Sequence, residues 1–134
     1  MYQFSIVQIC QILIGLFMGV CMLQSGTDKI FDWKGNYSWL NDHFSKSFLS
    51  PFVKIMLLII LILETVGGII CLIDSINGIF NNDTSLILLG FLLVGINLLF
   101  LFLGQRLSKD YEGAAVIVNY FILTIIGIGS FHFI

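Results

Sequence analysis

The chain has 134 residues, of which 58% are hydrophobic and 10% charged, with a formal net charge of −2. Soluble domains carry about a quarter charged residues, so the composition places the chain among membrane proteins and its length allows one domain. The acidic balance excludes a basic surface for nucleic acid, and Cys10, Cys21 and Cys71 contain no CxxC pair, which excludes a local dithiol relay.

No basic residue precedes the first apolar run and no small-residue cleavage site follows it, so the run is expected to stay as a helix rather than leave as a signal peptide. This first span covers residues 4–23. Gln8, Gln11, Gly15 and Gly19 recur every three or four positions along it, and so share one face. That face is expected to meet other helices, because small residues let backbones approach in lipid and amides find partners there that acyl chains do not offer.

Residues 24–50 read as a connection that leaves the hydrocarbon, with most of the charge and the aromatics Phe31, Trp33, Tyr37, Trp39, Phe44 and Phe48. Aromatic rings concentrate at the headgroup level. Leu40, Phe44 and Phe48 repeat every four residues, and Asn36 or Ser38 can serve as an N-cap, so a short interfacial helix is expected. The same aromatics would also suit a lid folded back over the bundle, and both readings stay open at this point.

The only proline, Pro51, precedes the central span at residues 52–73, where it breaks nothing. Twenty or so apolar residues cross a hydrocarbon core of roughly 30 Å, and this run holds one acid, Glu64, near its middle. A charge at that depth costs on the order of 3 kcal/mol, and its neighbours return enough for the helix to insert. Residues 74–83, DSINGIFNND, read as a turn. The third span covers residues 85–103 with Asn97, and the fourth covers 114–134 with Asn119, Tyr120, Ser130 and His132. The expected fold is an all-α polytopic membrane protein, a four-helix transmembrane bundle with a short interfacial helix in its first connection.

Counting about 1.5 Å per residue from the first connection places Glu64 and Gln11 at one level, near 18 and 20 Å, and Asn97 with Asn119 near 10 Å. Two polar layers are therefore expected. In the deeper one an acid and an amide could share a hydrogen bond and hold a quinone carbonyl or pass a proton, and they could equally clip two helices together. Lys29 becomes a charge partner for Glu64 only if the first connection dips inward. His43 and His132 fall on opposite sides, which argues against a bis-histidine haem or an intramembrane metal. All six basic residues lie in or beside the first and third connections, which places those connections in the cytoplasm and both termini outside.

Gly26-Thr27-Asp28-Lys29-Ile30 after the first span, an aromatic connection ending at Pro51, and Glu64-Thr65-Val66-Gly67-Gly68 in the second span resemble the DoxX family of small four-helix membrane proteins, related to the DoxD subunit of thiosulfate:quinone oxidoreductase. The motifs are short and lie in the first half, while helix lengths are similar throughout. The resemblance implies a bacterial inner-membrane protein that serves as partner or subunit of quinone-using redox enzymes, and it carries no catalytic residue over. The leading expectation is such a subunit, with no intrinsic cofactor, quinone as ligand, and a protein partner supplying the redox centre. The candidate residues are Glu64, Gln11, Asn97, Asn119 and Lys29. The alternatives are a scaffold or escort that meets other membrane proteins through its glycine faces, and a small transporter or proton path; a protein partner or a homo-oligomer is expected.

Overall fold

The structure, a computed structural model, describes residues 4–45 and 50–133. Its helices are α1 (Ile6–Phe31), α2 (Trp33–His43), α3 (Val53–Asn81), α4 (Ile87–Leu107) and α5 (Tyr111–Gly129), with short 3-10 turns at Ser50–Phe52 and Ser130–Phe133. Four helical segments are long and apolar enough to cross a membrane: Ile6–Phe31, Ser50–Asn81, Ile87–Leu107 and Tyr111–His132. The all-α polytopic bundle is thus the observed architecture.

Local chemistry fixes the helix ends. Ser5 caps α1 in a reciprocal box: the Gln8 amide donates to Ser5 Oγ at 3.0 Å and Ser5 N–H donates to Gln8 Oε1 at 3.1 Å. Asp32 caps α2, accepting from Gly35 N–H at 3.3 Å, in place of the expected Asn36 or Ser38. Asp110 does the same for α5 through Gly113 N–H at 3.1 Å. The α3 helix stops at Asn82, which turns left-handed (φ 55°) and donates its N–H to the Gly78 carbonyl at 2.9 Å. Asn tolerates that conformation better than most residues. Beyond it, Ser85 N–H donates to Asp83 at 3.0 Å and holds that exposed carboxyl below the usual range.

Two boundaries differ from expectation. The first helix does not end near Leu23 but runs on through Gly26 and Lys29 to Phe31, and α3 runs through the expected turn at 74–83 as far as Asn81. Neither stretch holds a proline, and Gly26 and Gly78 are buried against neighbours, so packing carries the helix past its polar residues. Phe48, expected on the interfacial helix, lies outside the described residues.

The helices pack in the cyclic order α1, α3, α4, α5, with α1 and α5 closing the ring through fewer contacts. Lipid drives no hydrophobic association between helices, so close packing and interhelical hydrogen bonds must hold them. Gly19 faces Leu72, Gly26 faces Thr65 and Gly68 faces Leu23, which defines an antiparallel α1/α3 seam of close backbones. On the other side of α3, Gly90 abuts Cys71 and Gly67 abuts Val94. Met18, Met22, Ile87, Phe91, Val94 and Leu98 fill the centre. The glycine faces are therefore used inside the bundle. Apolar side chains such as Leu13, Phe17, Ile62, Ile69, Leu99 and Ile122 face outward, as a lipid-facing surface requires.

Candidate functional site

The α1/α3 register decides which polar groups meet. With Gly19 opposite Leu72 and Gly26 opposite Thr65, Gln11 falls level with position 80 of α3, sixteen residues beyond Glu64. At 1.5 Å per residue that is roughly 24 Å. The expected pairing of Gln11 with Glu64 is therefore not formed: α1 extends eight residues further than the apolar run suggested, and its end at Phe31 falls level with position 60, seven residues past the start of α3.

Gln11 instead ties three elements at the far end of the bundle. Its amide donates to Ser130 Oγ at 3.0 Å, and its carbonyl accepts from Thr84 Oγ1 in a short bond. Ser130 in turn donates to the Gly127 carbonyl, and Gln8 donates to the Asn82 carbonyl at 3.3 Å. Gln11 and Thr84 are almost wholly buried, with both polar ends of the amide partnered. This cluster is a clasp between α1, the α3–α4 connection and the end of α5.

Glu64 is 2% exposed and meets Lys29, whose Nζ lies 3.0 Å from Oε2 and 3.3 Å from Oε1. Lys29 also donates to Ser25 Oγ, one turn earlier, at 2.7 Å. The condition set by the sequence is met: the start of the first connection dips into the bundle, as the last two turns of α1. Gly26 makes this possible. A Cβ there would stand 2.8 Å from Thr65 Oγ1, so a larger residue would have to turn that hydroxyl aside for α1 to lie this close to α3 beside Glu64. A charge that would be costly alone in hydrocarbon is thereby paired and hydrogen-bonded.

The second expected layer does not form either. Asn97 is fully buried, and by the packing of Gly67 on Val94 and Gly90 on Cys71 it stands level with Glu64. Its Nδ2 donates weakly to Met22 Sδ at 3.7 Å, and its Oδ1 has no hydrogen-bond partner among the described residues. Asn119 points the other way, exposed on the outer face of α5. Cys10 is exposed and Cys71 buried.

Beside Lys29 lies a cavity of about 170 Å³. Trp39 and Leu40 of α2, with Phe44 just after it, form the roof. Met56, Leu57 and Ile60 of α3 and Phe100 and Leu101 of α4 form the apolar walls. Lys29 is the only charged residue on the lining among the described residues; Asn36 and Gln105 supply the neutral polar groups. Ile60 precedes Glu64 by one turn, so the ion pair stands at the inner end of the cavity. The α2 segment is thus a roof packed on α3 and α1, with Phe44, just after it, 4% exposed and set against Gly104 of α4. Sequence reasoning did not find Ser25 or Gln105, nor Thr84 and Ser130 as partners of Gln11; a lid over the bundle was one of its two readings of the first connection. One signal was present: Gly26 stands two turns beyond Gly19 and Lys29 three residues further, on the face that carries Gly15 and Gly19.

The chain matches no protein-family model, no curated protein and no solved structure.

Proposed function

We propose that the protein is a membrane subunit of a quinone-linked oxidoreductase, DoxX-like in plan, that holds a quinone ring in the cavity under α2 while a partner protein supplies the redox centre. The observation that carries this reading is a largely covered ammonium, Lys29 (13% exposed), on the lining of a mostly apolar cavity. An ammonium donates to a quinone carbonyl, and Ser25 is the neutral partner a carbonyl would replace while Glu64 keeps the charge compensated. Trp39, Phe44 and Phe100 offer faces for a planar ring. The volume is smaller than the roughly 300 to 1,000 Å³ of sites for drug-sized ligands, which suits a ring head whose isoprenoid tail stays in the bilayer. Packing favours this reading over the scaffold, because the glycine faces a scaffold would have presented are used within the bundle.

The test is to purify the protein from native membranes and quantify co-extracted quinone, then repeat with Lys29→Gln and Trp39→Ala. Near-stoichiometric quinone in the natural chain, reduced at least tenfold in variants that keep full helicity by circular dichroism, is the expected result. Natural protein that carries no quinone and takes none up from quinone-loaded nanodiscs would overturn it.

The same reading places the protein in a bacterial inner membrane with the cavity end in the cytoplasm. Lys29, now part of the buried pair, drops out of the topological count, and Lys34, Lys46, Lys54, Arg106 and Lys109 remain on one side. Cysteines introduced at Asn82 and Lys109 are expected to react with impermeant maleimide from opposite sides, Asn82 from outside. Labelling of Asn82 from the cytoplasm alone would reverse the orientation.

A further inference from the structure

We propose that α5 carries a homodimer contact centred on Asn119. Asn119 is the ninth of the nineteen residues of α5, so it stands near the middle of the span, and it is exposed on the outer face. Its side chain makes no hydrogen bond among the described residues. A carboxamide at that depth in hydrocarbon has neither water nor lipid to bond with, and needs a protein partner.

The surface around it has a regular pattern. Ala115, Asn119, Ile122, Ile126 and Gly129 are all exposed, and their spacings alternate four, three, four, three. That is a heptad seam, with Asn119 and Ile126 at a positions and the others at d, the geometry of a left-handed helix pair. A single Asn at an a position sets register and oligomeric state in such pairs. Ala115 and Gly129 at either end let the two backbones approach. Of the four spans, α5 is also the least covered within one copy: only Ala114, Thr124 and Gly127 are buried, and its main neighbour is α4.

The occupant that fits is a second copy of this chain. Two copies inserted the same way stand parallel, related by a twofold axis along the membrane normal, so each residue on the axis meets itself at its own depth. An amide is self-complementary, with a donor and an acceptor to give to its twin. The same chemistry is unavailable to the neighbouring exposed side chains Val116, Val118 and Ile125, which are indifferent to lipid.

The test uses the full chain in lipid vesicles, with Cys10, Cys21 and Cys71 replaced by Ser and single cysteines added. Ala115→Cys and Ile122→Cys are expected to form disulfide dimers on mild oxidation, and Val116→Cys and Leu92→Cys, equally lipid-exposed but off the seam, are not. In a parallel experiment, energy transfer between two fluorophore-labelled pools measures association. Asn119→Leu is expected to raise the dimer dissociation constant by about three- to thirty-fold, and Asn119→Gln to restore part of the loss. Because Asn119 is exposed and its side chain makes no hydrogen bond among the described residues, circular dichroism of both variants should equal that of the natural chain. Equal cross-linking on and off the seam, unchanged association of Asn119→Leu, or a monomeric natural chain that pairs only with a different membrane protein would each overturn the proposal.

Discussion

Replacing Lys29 with methionine is expected to destabilise the bundle by about 3 to 5 kcal/mol, because it leaves the Glu64 carboxylate buried and without its counter-charge. The pair itself need not be a large net source of stability: withdrawing two charges from water costs nearly what their attraction returns. The asymmetry lies in removing one partner. Lys29→Met with Glu64→Leu, which removes both charges and keeps most of the volume, should therefore recover the larger part of the loss. Denaturant titration in mixed micelles, followed by circular dichroism, measures all three variants against the natural chain. A single substitution that costs less than about 1 kcal/mol would show that Glu64 finds another partner or reaches water, and the site as described would fail. The same double variant should lose quinone while remaining folded, which separates a binding role for the ammonium from a structural one.

The second large effect is expected at Gly90. A Cβ there would stand 2.7 Å from Cys71 Sγ and 3.0 Å from the Cys71 backbone nitrogen, with Ile70 at 3.2 Å. Cys71 is fully buried, and a backbone nitrogen inside a helix cannot step aside, so α3 and α4 must part. Overpacking of this kind costs about 1 to 3 kcal/mol, and Gly90→Ala should fall in the upper half of that range. Gly95→Ala on the same helix is the control: its nearest neighbours, on Thr124 and Ile128, stand at 3.7 and 3.9 Å, an ordinary contact distance. There the better helix propensity of alanine should leave stability unchanged or raised by up to about 1 kcal/mol. Equal behaviour of the two variants in the same titration would mean that the α3/α4 approach is looser than described.

The number of spans and their apolar centres are legible in the chain because lipid imposes a length and a composition on each crossing. Asn97, Gln11 and Glu64 are buried, as polar groups in apolar runs should be, because each is more costly against lipid than against protein. Asn119 breaks that rule within one copy. What could not be read was the offset between helices. Depth counting set each span's start at the edge of its apolar run, and α1 does not stop there: the polar residues Gln24, Ser25, Thr27 and Asp28 remain helical because Gly26 packs against Thr65. That eight-residue overrun, together with an α1 end that lies seven residues past the start of α3, moved Gln11 away from Glu64 and put Lys29 in its place. Register in an antiparallel helix pair is set by which small residue meets which large one, and Gly19 against Leu72 is a tertiary choice that a single sequence leaves undetermined. The polar clasp at Gln11 was hidden for a related reason: Thr84 and Ser130 belong to a connection and to a final turn, positions where an isolated hydroxyl signals nothing.

The covalent distance between the two charges has a consequence for biogenesis. Lys29 emerges from the ribosome thirty-five residues ahead of Glu64, so the first hydrophobic segment reaches the insertion machinery with its cation uncompensated. Until α3 follows, the last two turns of α1 are held at the aqueous margin by Asp28 and Lys29, and only then can they be drawn down along the glycine seam. The apolar part of α1 can thus enter the bilayer first, while its last two turns take their buried position only once α3 brings Glu64 to Lys29.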